Sequence, residues 1–130
     1  MKNYSQITVY LYYTFGNGIY NLIISSINFS PYQIPFIKPF KTAIGEFSVR
    51  KGIIIKIQSI DFYGFGESAP IAGFSNKTLI ESRNCLEGFA LAMNGIEEDQ
   101  SLEDLLLLAN AHTFDHPSAL FGLESAIYDL

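Results

Sequence analysis

Hydrophobic and polar positions change their period near the middle of the chain. From Ser26 to about Ala69 the pattern is extended. Ile27, Phe29, Tyr32 and Ile34 lead up to Pro35, Phe47-Ser48-Val49-Arg50 alternates, and Ile53-Ile54-Ile55-Lys56-Ile57 is a β-branched run suited to a strand. Pro31, Pro35 and Pro39 exclude a helix through the first part of this stretch. Phe36 to Gly45 reads as a loop carrying Lys38 and Lys41, and Gly52 reads as a bulge ahead of the isoleucine run. A short turn around Ser59–Asp61 leads into Phe62–Glu67, which completes an antiparallel meander of three strands. That turn lacks Asp-Gly, so its geometry is left open.

After Ala69 the period becomes helical. Thr78-Leu79-Ile80-Glu81 is a capping box, in which hydroxyl and carboxylate satisfy backbone donors that a helix start leaves orphaned. Leu79, Leu86, Phe89, Ala90 and Met93 share one stripe, which Asn94-Gly95 ends. Ser101-Leu102-Glu103-Asp104 opens a shorter helix through Leu105–Leu108. A third helix starts with Asp115 or His116 as its cap and Pro117 in its first turn. Its apolar positions Ala119, Leu123, Ala126, Ile127 and Leu130 keep helical spacing to the last residue, with no stop signal after them. The class expected is α+β, a three-stranded antiparallel meander followed by a helical subdomain, with a last helix that runs on past Leu130.

Residues 1–25 are a separate problem. No charge falls between Lys2 and Lys38, and Ile7 to Phe29 is largely apolar. Gly16-Asn17-Gly18 interrupts that run, Asn21, Ser25, Ser26 and Asn28 dilute it, and no A-x-A-like cleavage site follows. A hairpin, Ile7–Phe15 and Ile19–Ile24 about the Gly-Asn-Gly turn, suits it better than a membrane or export segment.

With 130 residues, 48% of them apolar and 15% aromatic, the chain has the length and composition of one globular domain. The net charge of −5 disfavours non-specific binding to nucleic acid or anionic membrane. All eight basic residues lie at or before Arg83, and nine of the thirteen acidic residues follow it, which reads as solvated helix faces. Cys85 is the single cysteine, so neither an intrachain disulfide nor a thiolate cluster is available, and a cytoplasmic setting fits.

Several residues invite a chemical reading. His112-Thr113-Phe114-Asp115-His116 offers two imidazoles and a carboxylate, but helix capping accounts for the carboxylate and two histidines make a poor zinc set. Glu67 ends a strand and is either a general base or, more simply, a carboxylate bonded to loop amides. Among Lys38, Lys41, Arg50 and Lys51, Lys41 is best placed to meet an anionic substrate.

Three segments fall in a recognisable order: Ile34-Pro35-Phe36-Ile37-Lys38-Pro39-Phe40-Lys41-Thr42, Gly64-Phe65-Gly66-Glu67-Ser68-Ala69-Pro70, and Pro117-Ser118-Ala119-Leu120-Phe121-Gly122-Leu123-Glu124-Ser125-Ala126. Together they resemble the N-terminal capping domain of the enolase superfamily, in its muconate-lactonizing branch, over residues 26–130. Pro70-Ile71-Ala72-Gly73-Phe74-Ser75, followed by a Thr-Leu helix start, is most similar to the o-succinylbenzoate synthases of that branch. Residues 1–25 have no counterpart there and are a true extension or the product of a start codon placed too early.

The resemblance implies a two-part enzyme in which this domain precedes a modified (β/α) barrel. The barrel would carry the acid/base lysines and the Mg2+ ligands, so no catalytic or metal residue is expected in this chain. The implied reaction is the Mg2+-dependent dehydration of a small anionic cyclohexadiene carboxylate in menaquinone biosynthesis. What the chain itself would supply is a lid: Lys41, Thr42, Ala43 and Ile44 after the first strand, and Pro70, Ile71, Gly73, Phe74 and Ser75 after the third. A capping domain of a dipeptide epimerase or N-acylamino acid racemase, and a stand-alone binding or oligomerisation module, remain as alternatives. Ile127 and Leu130, at the end of the last apolar stripe, lead us to expect self-association of the chain alone.

Overall fold

Ile53, Ile55 and Ile57 point to one side of the central strand, and the rest of the fold covers them. The computed structural model describes residues 21–130, so the expected hairpin over Ile7–Ile24 lies, except for its last residues, outside the described part. In chain order the elements are β1 (Asn21–Leu22), β2 (Ile24–Thr42), β3 (Gly45–Ser59), β4 (Tyr63–Ser68), α1 (Leu79–Met93), β5 (Gln100–Ser101), α2 (Leu102–His112) and α3 (Pro117–Asp129). Strands β2, β3 and β4 form an antiparallel sheet in that order, which is the expected meander, and β1 pairs with β5.

The helices lie on the isoleucine face. Leu86, Phe89 and Met93 of α1, Leu105 and Ala109 of α2, and Ala119, Leu123, Ala126 and Ile127 of α3 join the three isoleucines in one core. Helix α3 lies closest to the sheet because small residues face each other there. A Cβ added at Gly66 would overlap the Gly122 carbonyl, and one at Gly64 would overlap the Ala126 carbonyl. Asp129 accepts a hydrogen bond from the Phe65 backbone N–H at 2.8 Å, so the helix also occupies a donor on the outer edge of β4.

The helix starts follow the sequence closely. Thr78 and Glu81 close the expected capping box of α1, and Asn94 caps its end ahead of Gly95, whose φ of +84° is the left-handed geometry of a helix stop. Ser101 and Asp104 form a second box, and α2 runs to His112, one turn beyond the expected Leu108. At α3 the cap position belongs to His116, which makes no side-chain capping bond. Asp115 is no cap. It takes a left-handed backbone at φ 60° and pairs with Lys77 at 3.2 Å.

Three other expectations are corrected. Phe36–Gly45 is not a loop: β2 runs on to Thr42 and re-pairs with β3 from Phe40↔Phe47 to Thr42↔Gly45. The irregularity sits at Phe36–Pro39, where four residues of β2 stand opposite Ser48 between the pairs Pro35↔Val49 and Phe40↔Phe47. Gly52 is not a bulge either, because Tyr32↔Gly52 lies in unbroken register. Finally, Ile127 is 3% exposed and Leu130 packs against the same core, so the patch proposed for self-association is used inside the domain. Pro31, Pro35 and Pro39 also leave edge strand β2 without donors at three positions, which hinders pairing with a second chain.

Ser59 explains how the turn without Asp-Gly closes. Its N–H donates to the Phe62 carbonyl at 2.8 Å, and its hydroxyl accepts from the Phe62 N–H at 3.2 Å.

Candidate functional site

Two short loops meet at one end of the sheet. The first is the tip of the β2–β3 hairpin, where Ala43 and Ile44 turn between Thr42 and Gly45. The Thr42 hydroxyl donates to the Gly45 carbonyl at 3.0 Å and accepts from the Ile44 N–H at 3.3 Å, so one side chain holds the turn. The second loop follows β4. The Phe74 and Ser75 amides both donate to the Ile71 carbonyl, at 3.1 and 2.8 Å, and the Ser75 hydroxyl accepts from the Ile71 N–H at 3.2 Å. Gly73, at the bend, has φ +82°, a conformation in which a side chain is strained.

The loops touch through Ile44 and Gly73. A Cβ on Gly73 would overlap Ile44 Cδ1, so the isoleucine occupies the space left by the missing side chain. Beside this contact Ile44 is 55% and Phe74 66% exposed. Phe74 therefore faces outward. The loops hold no charged residue between Thr42 and Gly45 or between Pro70 and Asn76, and the Thr42 and Ser75 hydroxyls are turned back into their own loops. Lys41 flanks the tip and lies 3.9 Å from Glu46 on the opposite strand, with both side chains well exposed. Pro70, Ile71 and Ser75 are half-buried and form the base of the second loop.

The outer face of the sheet carries a contact that the sequence pattern did not suggest. Tyr32 lies flat across β3 over Gly52, where an added Cβ would come within 2.5 Å of the phenol oxygen, and its hydroxyl donates to Glu67 on β4. Burial and then the Glu67 hydrogen bond push the Tyr32 phenol above its ordinary pKa, while Arg50 opposes the shift. Glu67 thus receives a phenol, not the loop amides expected of it. An aromatic residue placed opposite a glycine in the pairing register was the signal that could have revealed this. A little further along the same face, Lys56 lies over the rings of Tyr63 and Phe65, 4.9 and 5.9 Å from their centroids.

The two histidines are engaged separately. His112 meets Phe89 edge-on at 6.5 Å between ring centroids, and His116 Nδ1–H donates to the Phe114 carbonyl at 2.7 Å. Both line a shallow cavity of about 330 Å3 with Glu81, Asn84, Cys85 and Gly88. Glu81 is committed to the α1 capping box, which lowers its pKa, and burial raises that of the Cys85 thiol and so favours its neutral form. Among the described residues no group of three or more His, Cys, Asp or Glu side chains is placed to hold a metal ion, so these residues do not fit a magnesium site. No helix among them is long and apolar enough to cross a membrane.

No protein-family model and no curated protein matches the sequence. Solved structures do match the fold. The substrate-liganded L-Ala-D/L-Glu epimerase from Bacillus subtilis superposes with a TM-score of 0.69 at 24% identity, over 81% of this chain and 30% of its own. The dipeptide epimerase from Enterococcus faecalis V583, complexed with Mg and L-Leu-L-Tyr, gives 0.68 at 19% identity, over 82% and 30%. A mandelate racemase/muconate lactonizing protein from Herpetosiphon aurantiacus gives 0.64 at 24% identity, again over 82% and 30%. The chain thus spans about 30% of the length of these structures. Its architecture, a three-stranded antiparallel sheet covered by three helices, is a fold that it shares with the matched part of these structures.

Proposed function

We propose that this chain is the capping domain of an enolase-superfamily enzyme whose barrel lies outside it, and that the Ile44–Gly73 pair is the centre of its lid. The observation that carries this reading is the meeting of the two loops, which presents Ile44 and Phe74 outward as one apolar rim. Such a rim closing on a barrel mouth would exclude water from a reacting carbanion and hold the substrate in place. Thr42, Ala43, Ile44, Gly73 and Phe74 would touch the substrate, Pro70, Ile71 and Ser75 would shape the loop beneath, and Lys41 would face an anionic group at the edge.

For the reaction we favour dehydration of a cyclohexadiene carboxylate to o-succinylbenzoate, with Mg2+ held by the barrel. The support is Pro70-Ile71-Ala72-Gly73-Phe74-Ser75 and the Thr-Leu helix start that follows. Dipeptide epimerisation is the second reading, favoured by the epimerases among the structural neighbours. The deciding experiment expresses the complete reading frame and supplies Mg2+ with each substrate in turn. Aromatic product from the cyclohexadiene carboxylate supports the first reading, and inverted dipeptide supports the second. A reading frame without barrel strands, or turnover by the 130-residue chain alone, overturns the capping-domain reading.

A further inference from the structure

The Tyr32–Glu67 contact lies at the root of both loops. Tyr32 sits on β2 shortly before the Phe36–Pro39 irregularity, beyond which the strand leads to the hairpin tip. Glu67 is the last residue but one of β4, and the second loop begins just after it. The neighbouring Ser68 is fully buried on the opposite face, with its hydroxyl 3.0 Å from that of Ser118, and Gly122 leaves no room for a side chain against the Glu67 carbonyl. The end of β4 is therefore held on one face by α3 and on the other by a single phenol. Pro70 follows within three residues, and its fixed φ passes the direction of that strand end into the bend that carries Gly73.

We propose that Tyr32 and Glu67 are positioning residues for the lid: their hydrogen bond across Gly52 fixes the root of the second loop relative to the hairpin, so that Ile44 meets Gly73 at the tips. Neither residue touches the rim. The structural part of the inference stands on this chain's own contacts, and its consequence for catalysis rests on the capping-domain reading above. Lys56, Tyr63 and Phe65, on the same face, make their own contact and leave this tie to Tyr32, Glu67 and Arg50.

The test compares Tyr32→Phe, Glu67→Ala and Glu67→Gln by amide exchange on this chain. Tyr32→Phe and Glu67→Ala are expected to speed exchange at Ile71, Phe74 and Ser75 by about five- to tenfold, the effect of one lost hydrogen bond, and to leave Leu86–Met93 of α1 unchanged. Glu67→Gln keeps an accepting oxygen and is expected to restore near-original rates. Unchanged rates at the loop in Tyr32→Phe, or equal acceleration in loop and helix, overturn the proposal, as does Glu67→Gln behaving like Glu67→Ala. In the complete enzyme the same Tyr32→Phe change should raise KM more than it lowers kcat. A loop that responds in exchange without any change in turnover would sink the lid reading while leaving the tie in place.

Discussion

Ile44 occupies the space that a side chain on Gly73 would need, although the two residues lie on loops that are separated in sequence by two strands and a turn. The glycine is required twice over, once by its φ of +82° and once by the isoleucine above it. Neither loop would present its apolar face in the same way without the other.

Gly73→Ala should therefore be costly. A left-handed alanine and a displaced isoleucine together are expected to lower stability by about 1–3 kcal/mol. Urea unfolding measures it. Because part of the loss is steric, Ile44→Ala in the same chain should return some of it, so that the double variant loses less than the sum of the single ones. Strict additivity would mean that the two side chains do not compete for one space.

Tyr32 supplies a prediction in alkali. Burial and the Glu67 carboxylate raise its phenol pKa in the folded state, so folding favours the neutral form. The stabilising contribution is fully present below the unfolded value, near pH 10, and is lost as pH rises through the higher folded value. Unfolding midpoints should fall across that window in the parent chain and fall less in Tyr32→Phe. Tyrosinate absorbance should show one phenol that titrates late in the parent and is missing from the variant. A late phenol that persists in Tyr32→Phe would assign the shift to another tyrosine.

Much of this arrangement was legible in the chain, and the parts that were not share a cause. Thr78-Leu79-Ile80-Glu81 and Ser101-Leu102-Glu103-Asp104 announced their helices because capping is local: donor and acceptor lie within four residues. The isoleucine run likewise declared the central strand. Phe36–Gly45 looked like a loop because its prolines and lysines obscure alternation, and only pairing with Phe47, Glu46 and Gly45 makes it strand. Gly52 and Tyr32 stand 20 positions apart, and nothing in the neighbourhood of either shows that one fills the other's space. The bend after β4 was legible from Gly73, whereas the Ile44–Gly73 contact and the Tyr32–Glu67 contact needed the register of the sheet.

Ile127 tests the placement of the last helix. At 3% exposure it is a core residue, so Ile127→Ala should lower stability by about 2–5 kcal/mol and Ile127→Glu should prevent folding under ordinary conditions. Circular dichroism with urea titration measures both. A folded Ile127→Glu chain whose only change is weaker self-association in sedimentation would mean that this face is exposed after all.

Two buried serines should respond in opposite directions. Ser82 and Ser68 are both fully buried, and their surroundings differ. Ser82 lies within α1 with a hydroxyl that has no hydrogen-bond partner among the described residues, and alanine there removes an unpaired polar group and also favours the helix. Ser82→Ala is expected to raise stability by about 0.5–2 kcal/mol. Ser68 shares its hydroxyl with Ser118 at 3.0 Å, so Ser68→Ala strands a half-buried partner and should lower stability by about 1 kcal/mol. Urea midpoints of the two variants, measured side by side, give the comparison. Loss of stability in Ser82→Ala would show that its hydroxyl does have a partner, and a buried water between α1 and the sheet is the group that could serve.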